Sequence, residues 1–374
     1  MYVDDLLIGG HTVQQALLHK TAAQEILGDA TFELHKWNSN IPQLEAEESL
    51  EDQEHQSYAK QQLMVKRCES KLLGLKWNKH RDILAVTFPD DDTPTTKRGI
   101  LSRLSKIYDP LGLVSPLTLE GKLIYRDVCN AKTPWDAALN ENHLVQWERS
   151  LPSEEEVPRS IVKYQEKVEE IEFHVFGDAS TQGVGAAVYA VIRQPSGTTQ
   201  HLVAAKSRLA KQSLTMPRLE LVSAHMATNL VVNVVNTFPN VPTPVIYAWL
   251  DSTVALHWIC GNGVYKQFVA NRVAKIRAHP QIQWRHVSTK ENPADIASRG
   301  GSVAFSAIWW TGPEWLRDQS KWPVNPVTQK SHAVESEAKM IREVLCVTKS
   351  EPALDSFDEL LKHNELRRTL RICA

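Results

Sequence analysis

The sequence predicts an α/β domain over residues 169–305, with five strands and flanking helices. Three observations predict it. Ile171, Phe173 and Val175 alternate with Glu172, His174 and Phe176, the period of a half-buried strand. After Gly177-Asp178-Ala179-Ser180, Val184, Ala186, Val188 and Ala190 repeat that period on a second strand. Further on, short apolar strands and amphipathic helices take turns.

Pro195-Ser196-Gly197 turns the chain into a third strand over Leu202 to Leu209. Thr215 is placed to cap a helix, with Pro217 in its first turn. Leu219, Val222, Met226, Leu230 and Val234 form its apolar face. Pro244 to Leu250 reads as a fourth strand ending at Asp251. Helices follow at Val254 to Ile259 and Gln267 to Ala278. Ile282, Trp284 and His286 alternate as a fifth strand, and Asn292-Pro293-Ala294-Asp295 opens a last helix.

Upstream, Met1 to Ile8 has strand character broken by Asp4-Asp5, and a helix runs from about Val13 to Gly28. Residues 43–57 are rich in glutamate and read as a solvated loop or a frayed helix. Leu72 to Trp77 is expected as one strand. Helices are expected at Lys97 to Ile107, Leu117 to Val128 and Leu144 to Leu151, forming a small unit with one basic face. Ser153 to Lys167 is expected to be a charged linker. Past residue 305 the chain is dense in Trp and Pro (Trp309, Trp310, Pro313, Trp315, Trp322, Pro323), and a helix is expected over 354–371.

Composition excludes several function classes. The chain has 374 residues, room for two or three domains. A net charge of −2 means that any nucleic-acid contact must use a local basic patch. Five scattered cysteines without a CxxC pair signal neither a zinc knuckle nor a disulfide framework, and fit a reducing setting. No stretch nears the roughly 18 apolar residues of a membrane span. The first ten residues lack the basic start of a signal peptide.

Four carboxylates fall where a strand ends or a helix begins: Asp178, Glu220, Asp251 and Asp295. Each has an ordinary explanation: a turn aspartate for Asp178, a first-turn acid for Glu220, helix caps for Asp251 and Asp295. Together on separate elements, they would converge at one end of a sheet and repel one another unless cations were present. Oxygen-only ligands call for Mg²⁺ or Mn²⁺. Two such ions support phosphodiester cleavage.

The sequences FGDAS (176–180), MPRLEL (216–221), WLDST (249–253), FVANR (268–272) and ENPADIASRG (291–300) resemble the RNase H region of Bel/Pao-type LTR retrotransposon polyproteins. YVDD (2–5) resembles the polymerase-site hairpin of a reverse transcriptase. LSRLSKIYDPLGLVSPL resembles its thumb and connection, and the Trp-rich arm also fits the pattern. The resemblance implies an RNase H-like mixed five-stranded sheet with flanking helices. It implies a truncated reverse-transcriptase palm end over 1–90, a thumb/connection-like helical region over 91–152, a linker over 153–168, the RNase H-like domain over 169–305 and an arm and tail over 306–374.

It also implies a metal-binding catalytic set of Asp178, Glu220, Asp251 and Asp295, two Mg²⁺ ions (or Mn²⁺), and an RNA–DNA hybrid as substrate. His286 is a possible accessory residue for product release. Asp4 and Asp5 match a vestigial polymerase site, whose third aspartate, fingers and remaining palm belong to an absent part of the parent polyprotein. Lys206, Arg218, Lys266, Arg272 and Lys275 are candidates for phosphate contact. Neither a small-molecule cofactor nor a membrane is implied, and the cytoplasm or a virus-like particle is the expected location. The alternatives are an inactive remnant that binds nucleic acid and a Pao-type aspartic peptidase. The peptidase is disfavoured because Asp251-Ser252-Thr253 lacks the glycine of an Asp-Thr/Ser-Gly site.

Overall fold

Residues 171–250 contain the apolar runs of four of the five strands of the main sheet. The computed structural model describes residues 6–10, 12–34, 37–45, 69–89, 94–149, 153–164, 166–238, 245–324 and 332–339, with Leu361 and Arg368. The chain divides into two compact units, Met1–Ala338 and Lys339–Ala374, and the elements below belong to the first. The Asp4-Asp5 pair and most of the glutamate-rich stretch lie outside the described residues, as does nearly all of the helix expected over 354–371.

The early elements are helix α1 (Val13–Asp29) and strands β1 (Glu69–Leu72), β2 (Leu75–Asn78) and β3 (Ile83–Thr87). Residues 72–77, expected as one strand, are a hairpin instead. Leu73 (φ 47°) and Gly74 (φ 89°) both take left-handed backbone conformations, as a tight turn between antiparallel strands requires. Helices α2 (Lys97–Lys106), α3 (Ser115–Asn130) and α4 (Glu141–Arg149) follow. The stretch expected as a charged linker contains strand β4 (Glu154–Pro158), which pairs with β3 and completes a four-stranded antiparallel sheet. Three successive glutamates hide this strand from a hydrophobicity pattern.

The second sheet contains β5 (Glu170–Ala179), β6 (Gly183–Gln194), β7 (Gly197–Leu209), β8 (Val245–Leu250) and β9 (Ile282–His286), ordered β7-β6-β5-β8-β9. β5 to β7 are antiparallel, and β8 and β9 add in parallel to β5. The sheet is therefore mixed and five-stranded, as expected. Between its strands run α5 (Met216–Asn236), α6 (Thr253–Cys260) and α7 (Gln267–Arg277), with α8 (Ala294–Arg299) after β9. Thr215 occupies the N-cap position of α5 without a side-chain cap bond, and Pro217 lies in the first turn.

β5 is covered on both faces, not the half-buried strand its alternation suggests. On one side Phe173 and Val175 pack with Leu219, Met226 and Val231 of α5. On the other, Phe176 packs with Trp249, Tyr189 and the arm residues Trp309, Leu316 and Trp322. Trp309 lies in α9 (Ala307–Thr311) and is fully buried; its Nε1 donates to Leu113 O at 2.9 Å, just before α3. Tyr189 Oη donates to Trp309 O at 2.7 Å. The Trp-rich arm is thus a core layer of the sheet. Among the described residues no helix is long and apolar enough to cross a membrane.

Candidate metal centre

Asp178, Glu220 and Asp251 come from β5, α5 and the end of β8, and the topology brings them to one place. β5 and β8 are parallel neighbours, so their C-terminal ends coincide, with Gly177 opposite Leu250. Glu220, the fifth residue of α5, reaches the same edge. Each of the three offers a carboxylate oxygen, and all three oxygens lie within 4.8 Å of one another.

Neighbouring serines perform the ordinary turn and cap tasks expected of Asp178 and Asp251. In the turn after Asp178, the hydroxyl of Ser180 accepts from Gln182 N and Gly183 N, both at 3.1 Å. At the start of α6, Ser252 is the cap, accepting from Ala255 N at 3.2 Å. Glu220 Oε2 and Asp251 Oδ1 are buried and have no hydrogen-bond partner. Buried unpaired carboxylate oxygens are costly and fit a cation site.

The electrostatics point the same way. Burial pushes Asp178 up to about 7; the Asp251 and Asp295 charges add to this, while Ser298 opposes it. Burial, then the charges of Asp178 and Asp251, push Glu220 up to about 9. Three carboxylates held this close cannot all ionise without a counter-charge, and divalent cations bound by oxygen supply one.

Asp295, the second residue of α8, is not in this group of three. Its Oδ1 accepts from Arg299 Nε at 2.6 Å, one helical turn on, although its charge still acts on Asp178. His286 ends β9 opposite Leu250 and is half-buried.

Three further residues complete the setting. Ser298 Oγ donates to Asp178 Oδ2. Thr289 Oγ1 donates to Asp251 Oδ2 at 2.8 Å. Asn292 Nδ2 donates to Gly177 O at 3.1 Å. Asn292 and Ser298 sit in ENPADIASRG, but nothing in that stretch indicates which distant residues they reach. Gly177, next to Asp178, is small for packing. A Cβ there would meet Leu250 Cδ2 at 3.0 Å and Ser223 Oγ at 3.2 Å, so the glycine lets α5 pack onto the sheet.

The five expected phosphate-contact cations separate by environment. Lys206 on β7 and Lys275 on α7 are exposed. Arg218 forms a two-pronged pair with Glu337, at 2.8 and 3.1 Å. Lys266 Nζ donates to Ser336 O at 2.6 Å. Arg272 stacks on Phe268 at 3.7 Å.

A mixed β7-β6-β5-β8-β9 sheet with helices on its flanks and carboxylates at the shared end of β5 and β8 defines an RNase H-like α/β fold. Residues 96–252 match a family model described as the Pao retrotransposon-like RNaseH-like domain. That span includes α2 to α4 together with β5 to β8. No curated protein matches the chain. Among solved structures, the N-terminal RNase H domain of a Mycobacterium tuberculosis protein, fused to maltose-binding protein, is 15% identical over 34% of this chain and 90% of that one, with a TM-score of 0.25. LC11-RNase H1 in complex with an RNA/DNA hybrid is 16% identical over 34% of this chain and 93% of that one, with a TM-score of 0.26. A foamy viral protease–reverse transcriptase in complex with dsDNA is 11% identical over 59% of this chain and 45% of that one, with a TM-score of 0.22.

Proposed function

We propose that this chain is a retrotransposon-derived endonuclease that cuts the RNA strand of an RNA–DNA hybrid with the help of divalent cations. The single observation carrying this reading is the convergence of Asp178, Glu220 and Asp251 within 4.8 Å, on a chain matching a Pao RNase H-like family model. These three carboxylates hold the ions, Mg²⁺ or Mn²⁺, and Asp295 joins them when Arg299 releases it. Ions held there would supply activation of a water and stabilisation of the leaving oxygen for phosphodiester hydrolysis.

The chain's own groups fix where this happens. Thr289 holds one oxygen of Asp251, leaving the buried Oδ1 to face a cation. Exposed Lys206 and Lys275 track the phosphate backbones, while recognition of the 2′-OH restricts cutting to the RNA strand. Residues 1–90 correspond to reverse-transcriptase palm sequence and 91–152 to thumb/connection sequence, with Asp4 and Asp5 at the match to the polymerase-site hairpin.

The test is purified protein on a hybrid labelled in its RNA strand, with and without Mg²⁺, beside Asp178→Asn. Mg²⁺-dependent cleavage that the substitution abolishes is the expected result. Folded protein that binds the hybrid without cutting it would assign the chain to the inactive, binding-only alternative.

A further inference from the structure

We propose that Asn292–Ser298 is a clamp that orients Asp178 for metal binding, with Ser298 as its positioning residue; this rests on the metal-centre reading above. Ser298 is fully buried, and its hydroxyl donates to Asp178 Oδ2 across 120 residues of sequence. Two more bonds tie the same segment to the residues on either side of Asp178. Asn292 Nδ2 donates to Gly177 O at 3.1 Å, and Ser180 Oγ donates to Ser298 O at 2.7 Å. Asn292 is itself held, its Oδ1 accepting from Ala294 N at 3.1 Å.

The sheet is built to receive this segment. Gly185 lies directly opposite Asp178 in the β5–β6 register. A Cβ on Gly185 would stand 2.6 Å from Ala297 Cβ and 2.8 Å from Ser298 N. A Cβ on Gly183, on the same face, would stand 2.5 Å from Ser298 O. Two glycines at spacing two therefore let α8 rest on the backbone of β6, close enough to reach over to Asp178.

The clamp opposes a definite force. Asp178, Glu220 and Asp251 repel one another when ionised, and an unrestrained Asp178 side chain would rotate away from the other two. A hydrogen bond to Oδ2 selects the orientation that keeps Asp178 within 4.8 Å of them. Outer-shell partners of metal ligands typically contribute about 10–100-fold in affinity or activity.

The experiment measures Mn²⁺ binding to the full chain by calorimetry and electron paramagnetic resonance, alongside hybrid cleavage over a range of metal concentrations. Ser298→Ala is expected to weaken Mn²⁺ binding by about 10–100-fold. It should also raise the metal concentration for half-maximal rate, with kcat at saturating metal kept within a factor of about three. A generally loosened fold would instead lower kcat at every metal concentration. Gly185→Ala keeps the hydroxyl but displaces α8, and should show the same metal defect. If Ser298→Ala does not fold, Ser298→Cys, a similar shape with a weaker donor, is expected to show a smaller loss in the same direction.

Unchanged Mn²⁺ affinity in folded Ser298 variants would overturn the clamp while leaving the nuclease reading in place. Wild-type protein that binds Mn²⁺ through Asp178 but cuts no hybrid would sink the nuclease reading while the Ser298 comparison still decides the clamp. Wild-type protein that binds no Mn²⁺ would overturn both.

Discussion

Arg299 Nε donates to Asp295 Oδ1 at 2.6 Å, so the carboxylate expected as a fourth metal ligand is answered by a guanidinium on its own helix. The side chains are 58% and 32% exposed, and such i,i+4 pairs contribute only about 0.3–0.5 kcal/mol. The arrangement therefore matters more for charge than for stability. Arg299→Gln should leave the melting temperature nearly unchanged and free Asp295 to join the metal set. The expected result is half-maximal cleavage at a lower Mg²⁺ concentration. A rise in that concentration would mean that Arg299 does not compete with the ions.

The metal-free protein should lose stability as pH rises. Asp178, pushed up to about 7, and Glu220, pushed up to about 9, keep their protons when folded at pH values where the unfolded chain, near 3.8 and 4.5, has lost them. Their contribution is fully present below the unfolded values and is lost as pH climbs through 7 and then 9. Melting temperature in EDTA is expected to fall from pH 7 to 9, above the range in which His174, His201 and His225, held below the usual imidazole value chiefly by burial, act in the opposite sense. Mg²⁺ or Mn²⁺ added at pH 8 should raise it again, because cations replace the protons. A melting temperature in EDTA that stays flat over this range would contradict the crowding of these carboxylates.

Asp178→Asn separates the two properties that this crowding sets against each other. It removes a buried charge facing Glu220 and Asp251, so the metal-free variant should be more stable than wild type at pH 8, by about 1 kcal/mol. The same change removes a metal ligand, and cleavage should fall at least about 100-fold. Chemical denaturation and hybrid cleavage on one preparation check both halves. A variant less stable than wild type in EDTA would show that Asp178 serves the fold first.

The arm after residue 305 should prove indispensable to the sheet. Trp309 is fully buried, its indole bonded to Leu113 O and its carbonyl to Tyr189 Oη. Trp309→Ala should cost about 3–5 kcal/mol in chemical denaturation. A chain ended at residue 305 should fail to fold, because Phe176, Tyr189 and Trp249 would face water. Cooperative unfolding of that shortened chain would show instead that the arm is an accessory layer.

That layer marks the limit of what could be read in the sequence. Period-two alternation in β5 and β6 and the helical spacing in α5 placed both within a few residues, because each rule is local. The same alternation left Glu172, His174 and Phe176 looking exposed, since a strand does not record what covers its second face. The cover comes from Trp309, Leu316 and Trp322, whose segment has no regular period. At the site, no acid stood out alone, since each had an ordinary local role; the set stood out because its members end strands or begin helices on separate elements, inside motifs that resemble one family. Ser298 gave no such signal: a buried serine is unremarkable until its partner 120 residues away is known.

Substrate binding should divide the basic residues by what already holds them. Arg218 is engaged by Glu337, which is nearly buried, so Arg218→Ala should act through stability, by about 1–3 kcal/mol, with little change in the salt dependence of hybrid binding. Lys275 is exposed in the last turn of α7, and its expected role is a phosphate contact. Lys275→Ala should leave the fold intact, weaken hybrid binding equally for all sequences, and reduce the slope of log affinity against log salt by about 1. Fluorescence anisotropy with a catalytically silenced Asp178→Asn background, repeated from low to high salt, measures that slope directly. An unchanged slope for Lys275→Ala would move the hybrid's path away from α7, leaving the Lys206 edge of the sheet as the next surface to test.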